Sequence, residues 1–222
     1  MGNAPRAVLL IAACLIWSVA PRTAATDERE HQLDGELSLP PGRATPVVGE
    51  RWSFHGRWLG IPVGHGWIET KEIVTLDGRQ AYHIEMHGYT NKVLSTFYPI
   101  HDVIHSYLDV QTLKPLRFEK NQREGNYRAN EVVVFDHDRS VAIYRSLLNG
   151  SSFEVPIPNT FQDLISLLYW FRAQPLQSGK PLTMDVYADE KIYRTRIEVR
   201  GPVLLELLKR GTFSCLVVEP KA

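Results

Sequence analysis

Between Gln80 and Thr90 the chain reads QAYHIEMHGYT, and its side chains alternate in character residue by residue. Tyr82, Ile84 and Met86 fall on one side; His83, Glu85 and His87 fall on the other. A period of two is what a strand with one buried and one wet face requires. The pattern recurs along the chain. ERWSFHGRWLG places Trp52, Phe54 and Trp58 on one side, IPVGHGWIETKEIVTL follows as a further strand, and DGR (Asp77 to Arg79) is a hairpin turn signal. LRFEKNQ, YRANEVVVFDHD, SVAIYRS, LTMDVYADEKIYRTRIEVRG and TFSCLVVEP continue the series, bounded at short intervals by Gly, Pro, Asn or Asp. This predicts an antiparallel meander.

One segment breaks the period. TFQDLISLLYWFRAQPL spaces Phe161, Leu164, Ile165, Leu168 and Phe171 as one face of a helix, and Pro175 stops it. Asn159 or Thr160 is expected to cap its start, with Asp163 in the first turn. The expected fold class is therefore all-β and mainly antiparallel, with one helix at about 160–173 and no internal repeat.

The amino terminus reads as an export signal. Arg6 supplies a positive charge, AVLLIAACLIWSVA (7–20) is an apolar core, and small residues in PRTAAT offer cleavage after Ala24 or Ala25. The apolar run is short for a bilayer span, which takes about 20 residues. The expected organisation is a signal peptide over 1–25, a Pro- and Gly-rich leader over 26–48, and a single β-rich domain over 49–222. The mature chain is expected in the periplasm with no transmembrane span. LIAAC, ending at Cys14, offers an alternative: anchorage as a lipoprotein through that cysteine. Against it, apolar LIWSVA continues past Cys14, where a lipidation site is normally followed by polar residues. Cys215, the other cysteine, lies in the apolar run FSCLVVEP and reads as a buried, inert thiol.

Lys and Arg total 25, as do Asp and Glu, so the formal net charge is zero. That removes the electrostatic footprint of a nucleic-acid binder, and partners are expected to be apolar, neutral or protein.

The densest set of potential ligands is YPIHDVIHSYLD, with His101 and His105 four apart. On a helix the two imidazoles would stand roughly 6 Å apart and could share a metal. On a strand they would be separated by about 13 Å and could not. Local periodicity allows either, since Ile100, Val103, Ile104, Tyr107 and Leu108 also fit a helical stripe. HIEMH (His83 and His87) poses the same question, and its alternation favours a strand. No H-E-x-x-H, no nucleophile elbow and no phosphate-binding glycine loop occurs, so no metal, cofactor or catalytic group is assigned. Trp52, Trp58, Trp67, Tyr98, Tyr169 and Trp170 are the candidate ligand-binding residues: core anchors first, pocket lining second.

Five blocks occur in order: GERWSFHGRWLGIPVGHGWIE, STFYPIHDVIHSYLD, TLKPLRFEKNQREGNYRANEVVVFD, DLISLLYWFRAQPLQSGK and GTFSCLVVEP. Together they resemble the bacterial family catalogued as domain of unknown function 3108, from about Gly49 to the end. The resemblance implies an exported envelope protein with a strongly curved antiparallel sheet or open barrel, and it brings no reaction and no catalytic residues. It also implies a strand from Phe97 to Asp109, with an aspartate at the Asp102 position and other residue types commonly where the histidines stand. The expected function is non-enzymatic binding of lipid or another apolar ligand. The alternative is an envelope assembly module acting through protein contacts.

Members of the family usually continue with further strands beyond the block matching FSCLVVEP. A shortened domain would carry an open sheet edge and an exposed apolar face. It should therefore aggregate on heating; a sharp unfolding transition without aggregation would remove that expectation.

Overall fold

The computed structural model describes residues 14–15, 45–59, 61–207 and 211–221. The expected signal segment and leader lie almost wholly outside them. In chain order the first elements are β1 (Cys14–Leu15), β2 (Arg51–Trp58), β3 (Ile61–Leu76), β4 (Arg79–Thr90), β5 (His101–Asp109), β6 (Pro115–Glu124) and β7 (Tyr127–Asp136). They are followed by β8 (Val141–Ser146), β9 (Ser152–Pro156), β10 (Gln162–Asp163), α1 (Ser166–Ala173), β11 (Leu182–Ala188), β12 (Lys191–Leu207) and β13 (Gly211–Lys221). The described residues form two compact units: 45–174 with Met184–Thr195, and Cys14–Leu15 with Pro175–Thr183 and the described residues from Arg196 onward.

The larger unit is built on an eight-stranded sheet in which β2 to β9 each bond to the next, all antiparallel and curled into a half-barrel. The fold class is thus all-β and mainly antiparallel, with one α-helix among the described residues. β5 is a strand, so His101 and His105 cannot share a metal with each other. The alternation read in QAYHIEMHGYT holds: Tyr82, Ile84 and Met86 are buried, while His83, Glu85 and His87 face the other way.

One row of the concave face crosses six strands in register, from Thr70 through Ile84, Ser106, Phe118 and Val133 to Tyr144. All six are buried. Four are apolar or aromatic, and Phe161, Ile165, Leu168 and Phe171 are buried as well. The Thr70 and Ser106 hydroxyls of the row meet polar partners. Thr70 Oγ1 lies 3.0 Å from Tyr169 Oη, and Ser106 Oγ donates to Asp163 Oδ2 at 2.6 Å. Both of these hydroxyls are satisfied, as the low-dielectric interior demands.

The helix starts later than the spacing predicts. Asp163 forms part of β10, which pairs in parallel with Val186 and Tyr187 of β11. Its Oδ1 accepts the Ile165 and Ser166 N–H groups at 2.8 Å, and its own N–H donates to Ser166 Oγ at 2.8 Å. A side chain closing this loop caps the helix from outside, so it cannot also lie in the first turn. Asn159 and Thr160 are accordingly not the cap. Leu164, expected in the apolar stripe, is exposed because it precedes the helix.

In the smaller unit, β12 from Arg196 onward pairs antiparallel with β13, and β1 pairs with β13 at Leu216 and Val217. Ile197, Val199, Leu216 and Val218 are buried, as is the Cys215 thiol.

Burial pushes the Asp163 carboxyl above its ordinary range, against the pull of its bonds from Ser106, Ser166 and Ile165. Asp163→Ala would orphan a hydroxyl and two N–H groups and should cost about 2–4 kcal/mol in chemical denaturation. Asp163→Asn keeps an acceptor at Oδ1 and sheds the buried charge, so it should stay within about 1 kcal/mol of the parent. Equal losses for both would show that the ionised carboxylate itself, not its acceptor geometry, holds the helix.

Candidate binding surfaces

The aromatic residues singled out from the sequence do not converge on one pocket. Trp52 and Tyr169 stack at 5.2 Å, with the Arg172 guanidinium 5.3 Å from both rings. Glu50 completes the group, accepting from Trp52 Nε1 at 3.2 Å and from Arg172 at 2.9 Å. This cluster fastens α1 beside β2. Burial raises the Tyr169 hydroxyl to about 12, so it stays protonated and serves as a bonding group rather than a base. Trp170 packs edge-on against Phe171 at 5.4 Å. Trp67 lies on the opposite, convex face under Arg51, 4.4 Å from its centroid. Tyr98 lies over Gly125, where a Cβ would come within 2.7 Å of the ring. The Trp58 side chain lies outside the described residues.

The convex face carries the histidines. His83 and His105, on adjacent strands, bring Nε2 and Nδ1 to 2.9 Å, and Tyr107 stacks on His83 at 4.7 Å. Glu85 reaches His87 at 3.3 Å and His105 at 3.9 Å, and Lys71 at 3.5 Å. His87 in turn stacks on Trp67 at 4.5 Å, and Tyr89 stands 4.7 Å from His101. Burial, then the neighbouring His83, push the His105 imidazole below its ordinary value, so it is neutral at pH 7. The Glu85 carboxyl is held low by its bond to His87 and by the charges of His87, His105 and Lys71, which outweigh burial. The array is an open, flat lattice of imidazole and aromatic rings. Among the described residues no group of three or more His, Cys, Asp or Glu is arranged to hold a metal ion. The pairing of His83 with His105 was not visible in the sequence, because it depends on the register between β4 and β5.

The ends of the sheet differ in chemistry. In an antiparallel meander alternate hairpins share an end. The hairpins β2/β3, β4/β5, β6/β7 and β8/β9 therefore lie together, and β3/β4, β5/β6 and β7/β8 lie at the other end. At the first end Leu59 is 84% exposed, Phe97 81% and Val93 75%, with Ile61, Tyr127, Leu147 and Leu148 also exposed. Asn91 ties two of these hairpins, its N–H donating to Val63 O at 2.9 Å and its side chain to Pro62 O. The opposite end is charged, with Asp77, Arg79, Lys114, Asp136, Asp138 and Arg139 in its turns.

Cavities are small. One of about 170 Å³ opens beside Gln122, Arg128, Asn130 and Leu148, and another of about 180 Å³ lies in the smaller unit beside Gly179, Pro181, Arg196 and Glu198. Both are below the usual ligand range of about 300–1,000 Å³. Near the first, Gln122 Nε2 donates to Asp102 and Glu124, each at 3.3 Å, and the Arg123 N–H donates to Asp102 at 3.0 Å. Among the described residues no helix is long and apolar enough to cross a membrane.

Burial, and then the Asp102 carboxyl beside it, raise Glu124 to about 7. A carboxyl whose folded value exceeds its ordinary value of 4.5 stabilises the fold below that pH, and the contribution is lost as pH rises through about 7. Glu124→Gln should remove this slope. The parent should lose thermal stability relative to the variant between about pH 5 and 7.5; parallel melting curves across that range would refute the raised proton affinity of Glu124.

No curated protein and no solved structure matches this chain. The family model described as "Protein of unknown function (DUF3108)" matches residues 53–222, which span β2 to the end of β13. With so much of the chain covered, it belongs to that family.

Proposed function

We propose that the chain is an exported cell-envelope protein that binds lipid or another apolar molecule without transforming it. The binding surface is the outer, apolar end of the half-barrel rather than an enclosed pocket. One observation carries this reading: Leu59, Ile61, Val93 and Phe97 are exposed on two neighbouring hairpins that hydrogen bonds hold together. Clustered exposed apolar side chains of this size mark interaction sites. Export is supported by the signal-like segment at 7–20, and Cys14 offers an alternative lipid anchor. Docking to another envelope protein is the second reading. It is favoured by β9, which among the described residues pairs only with β8 and so presents an outer edge to a further strand.

The test is to isolate the parent protein and a Leu59→Asn/Phe97→Asn variant gently from their native envelope, extract both with organic solvent, and analyse them by mass spectrometry. Lipid or a lipid-like compound should accompany the parent and be largely lost from the variant. The intact mass reports any acyl group on Cys14. An empty parent that co-purifies with envelope proteins would move the assignment to the docking module.

A further inference from the structure

The apolar end is also a cationic end, and the two properties together point to one kind of partner. From Arg51 to Ile68 the sequence holds no Asp or Glu, and the same is true from Met86 to His101. These segments hold β2 with the first half of β3, and the end of β4 with the turn that leads into β5. Arg57 and Lys92 stand exposed beside Leu59 and Val93. The β6/β7 hairpin adds Arg123 and Arg128, also exposed, and Arg128 is braced by bonds to the Gly125 and Tyr127 carbonyls at 2.8 and 2.7 Å. Two acids lie near these tips: Glu124, whose raised value of about 7 leaves it only partly ionised near neutrality, and Asp102, which is buried and bonded to Gln122 and the Arg123 N–H. The β8/β9 tip, LLNGS, is uncharged and exposes Leu147 and Leu148.

We propose that this end of the half-barrel docks on the surface of an anionic lipid bilayer, with Leu59, Ile61, Val93 and Phe97 entering the interface and Arg57 and Lys92 meeting lipid phosphates. The inference rests on the reading that the apolar end is the binding surface, and it names the bilayer as the partner. Strands stand about 4.8 Å apart, so the tips of eight follow a curved rim roughly 30 Å in contour, suited to a surface rather than to one small molecule. Apolar tips flanked by cations satisfy both parts of a bilayer interface, the acyl boundary and the anionic headgroups. A protein partner would have to offer an equally broad acidic and apolar strip. The opposite end, mixed in charge with four aspartates and three cations among Asp77, Arg79, Asp109, Lys114, Asp136, Asp138 and Arg139, has no such match.

The experiment uses the full chain with Cys14→Ser, leaving Cys215 buried, and an environment-sensitive fluorophore on either Thr96→Cys or Asp138→Cys. Thr96 is at the apolar end and Asp138 at the charged end, and both are exposed. With vesicles of phosphatidylglycerol and phosphatidylethanolamine, the label at position 96 should shift to the blue and brighten, while that at 138 should stay in water. Pure phosphatidylcholine vesicles should produce neither change. Arg57→Gln and Lys92→Gln should each lower partition about fivefold, since every cation near an anionic surface strengthens binding by about that factor. Salt near 1 M, with a Debye length of about 3 Å, should reproduce their combined loss. Anchorage through residues 7–20 alone would leave both labels in water and would overturn the proposal, as would equal entry into neutral vesicles. If vesicles are ignored while Leu59→Asn/Phe97→Asn still strips the native apolar compound, the bilayer falls and the broader reading stands. If neither experiment responds to these residues, both fall.

Discussion

The bond between Ser106 and Asp163 is where the architecture of the larger unit is decided. A half-barrel has a concave face that must be filled, and here the filling is a short helix with the chain that leads into it. Apolar contact alone would hold that helix without fixing its position along the groove. The buried hydroxyls of Thr70 and Ser106 are positioned by the same strand register that aligns Ile84, Phe118 and Val133, and they accept only partners at particular heights. Asp163 meets one and Tyr169 the other. The cost of leaving either group unpaired in the interior converts a greasy contact into a specific one. The Glu50–Arg172–Trp52 group then ties down the far end of the helix.

Filling the concave face in this way moves the protein's capacity for interaction outward. Tyr169 and Trp52, which could have lined a pocket, are spent on packing against each other. What stays open is the convex face with its histidines and the two fringes of hairpins. The convex face is wet, evenly charged and rich in mutual contacts, so its groups already satisfy one another. Lys120 illustrates the same economy on the concave side: Glu131 at 3.2 Å and Asp189 at 3.6 Å raise its proton affinity against the effect of burial. The exposed aliphatic tips have no such internal partner among the described contacts.

The strands were legible because alternation is a local property, written into each run of residues and enforced by the pleat. β3 spans Ile61–Leu76, the very stretch that alternation and its flanking turns delimit. The helix start was not legible, because Asn159, Thr160 and Asp163 are all acceptable caps locally and the choice among them is made by Ser106, far away in sequence. His101 and His105 show the same limit. Their periodicity fitted both a helix and a strand, and only family resemblance favoured the strand before the structure confirmed it. Their actual neighbours, Tyr89 and His83, come from β4, and register is not a local property. The aromatic candidates were recognisable as anchors, but whether an anchor faces groove, core or solvent follows from curvature and bulges such as the one between Thr70 and Glu72.

The alternation of hairpins between two ends has a consequence for how such a chain can change. Residues in the turns at either end contribute little to the buried rows, and lengthening a turn does not alter which residues of the flanking strands point inward. Each fringe is therefore free to acquire its own chemistry while the middle of the sheet is held constant by packing. A peptide tag or fused domain inserted at Asp77–Gly78 would emerge on the far side of the molecule from Leu59 and Phe97, separated from them by the length of β3. The sheet works as a spacer between two independently variable fringes.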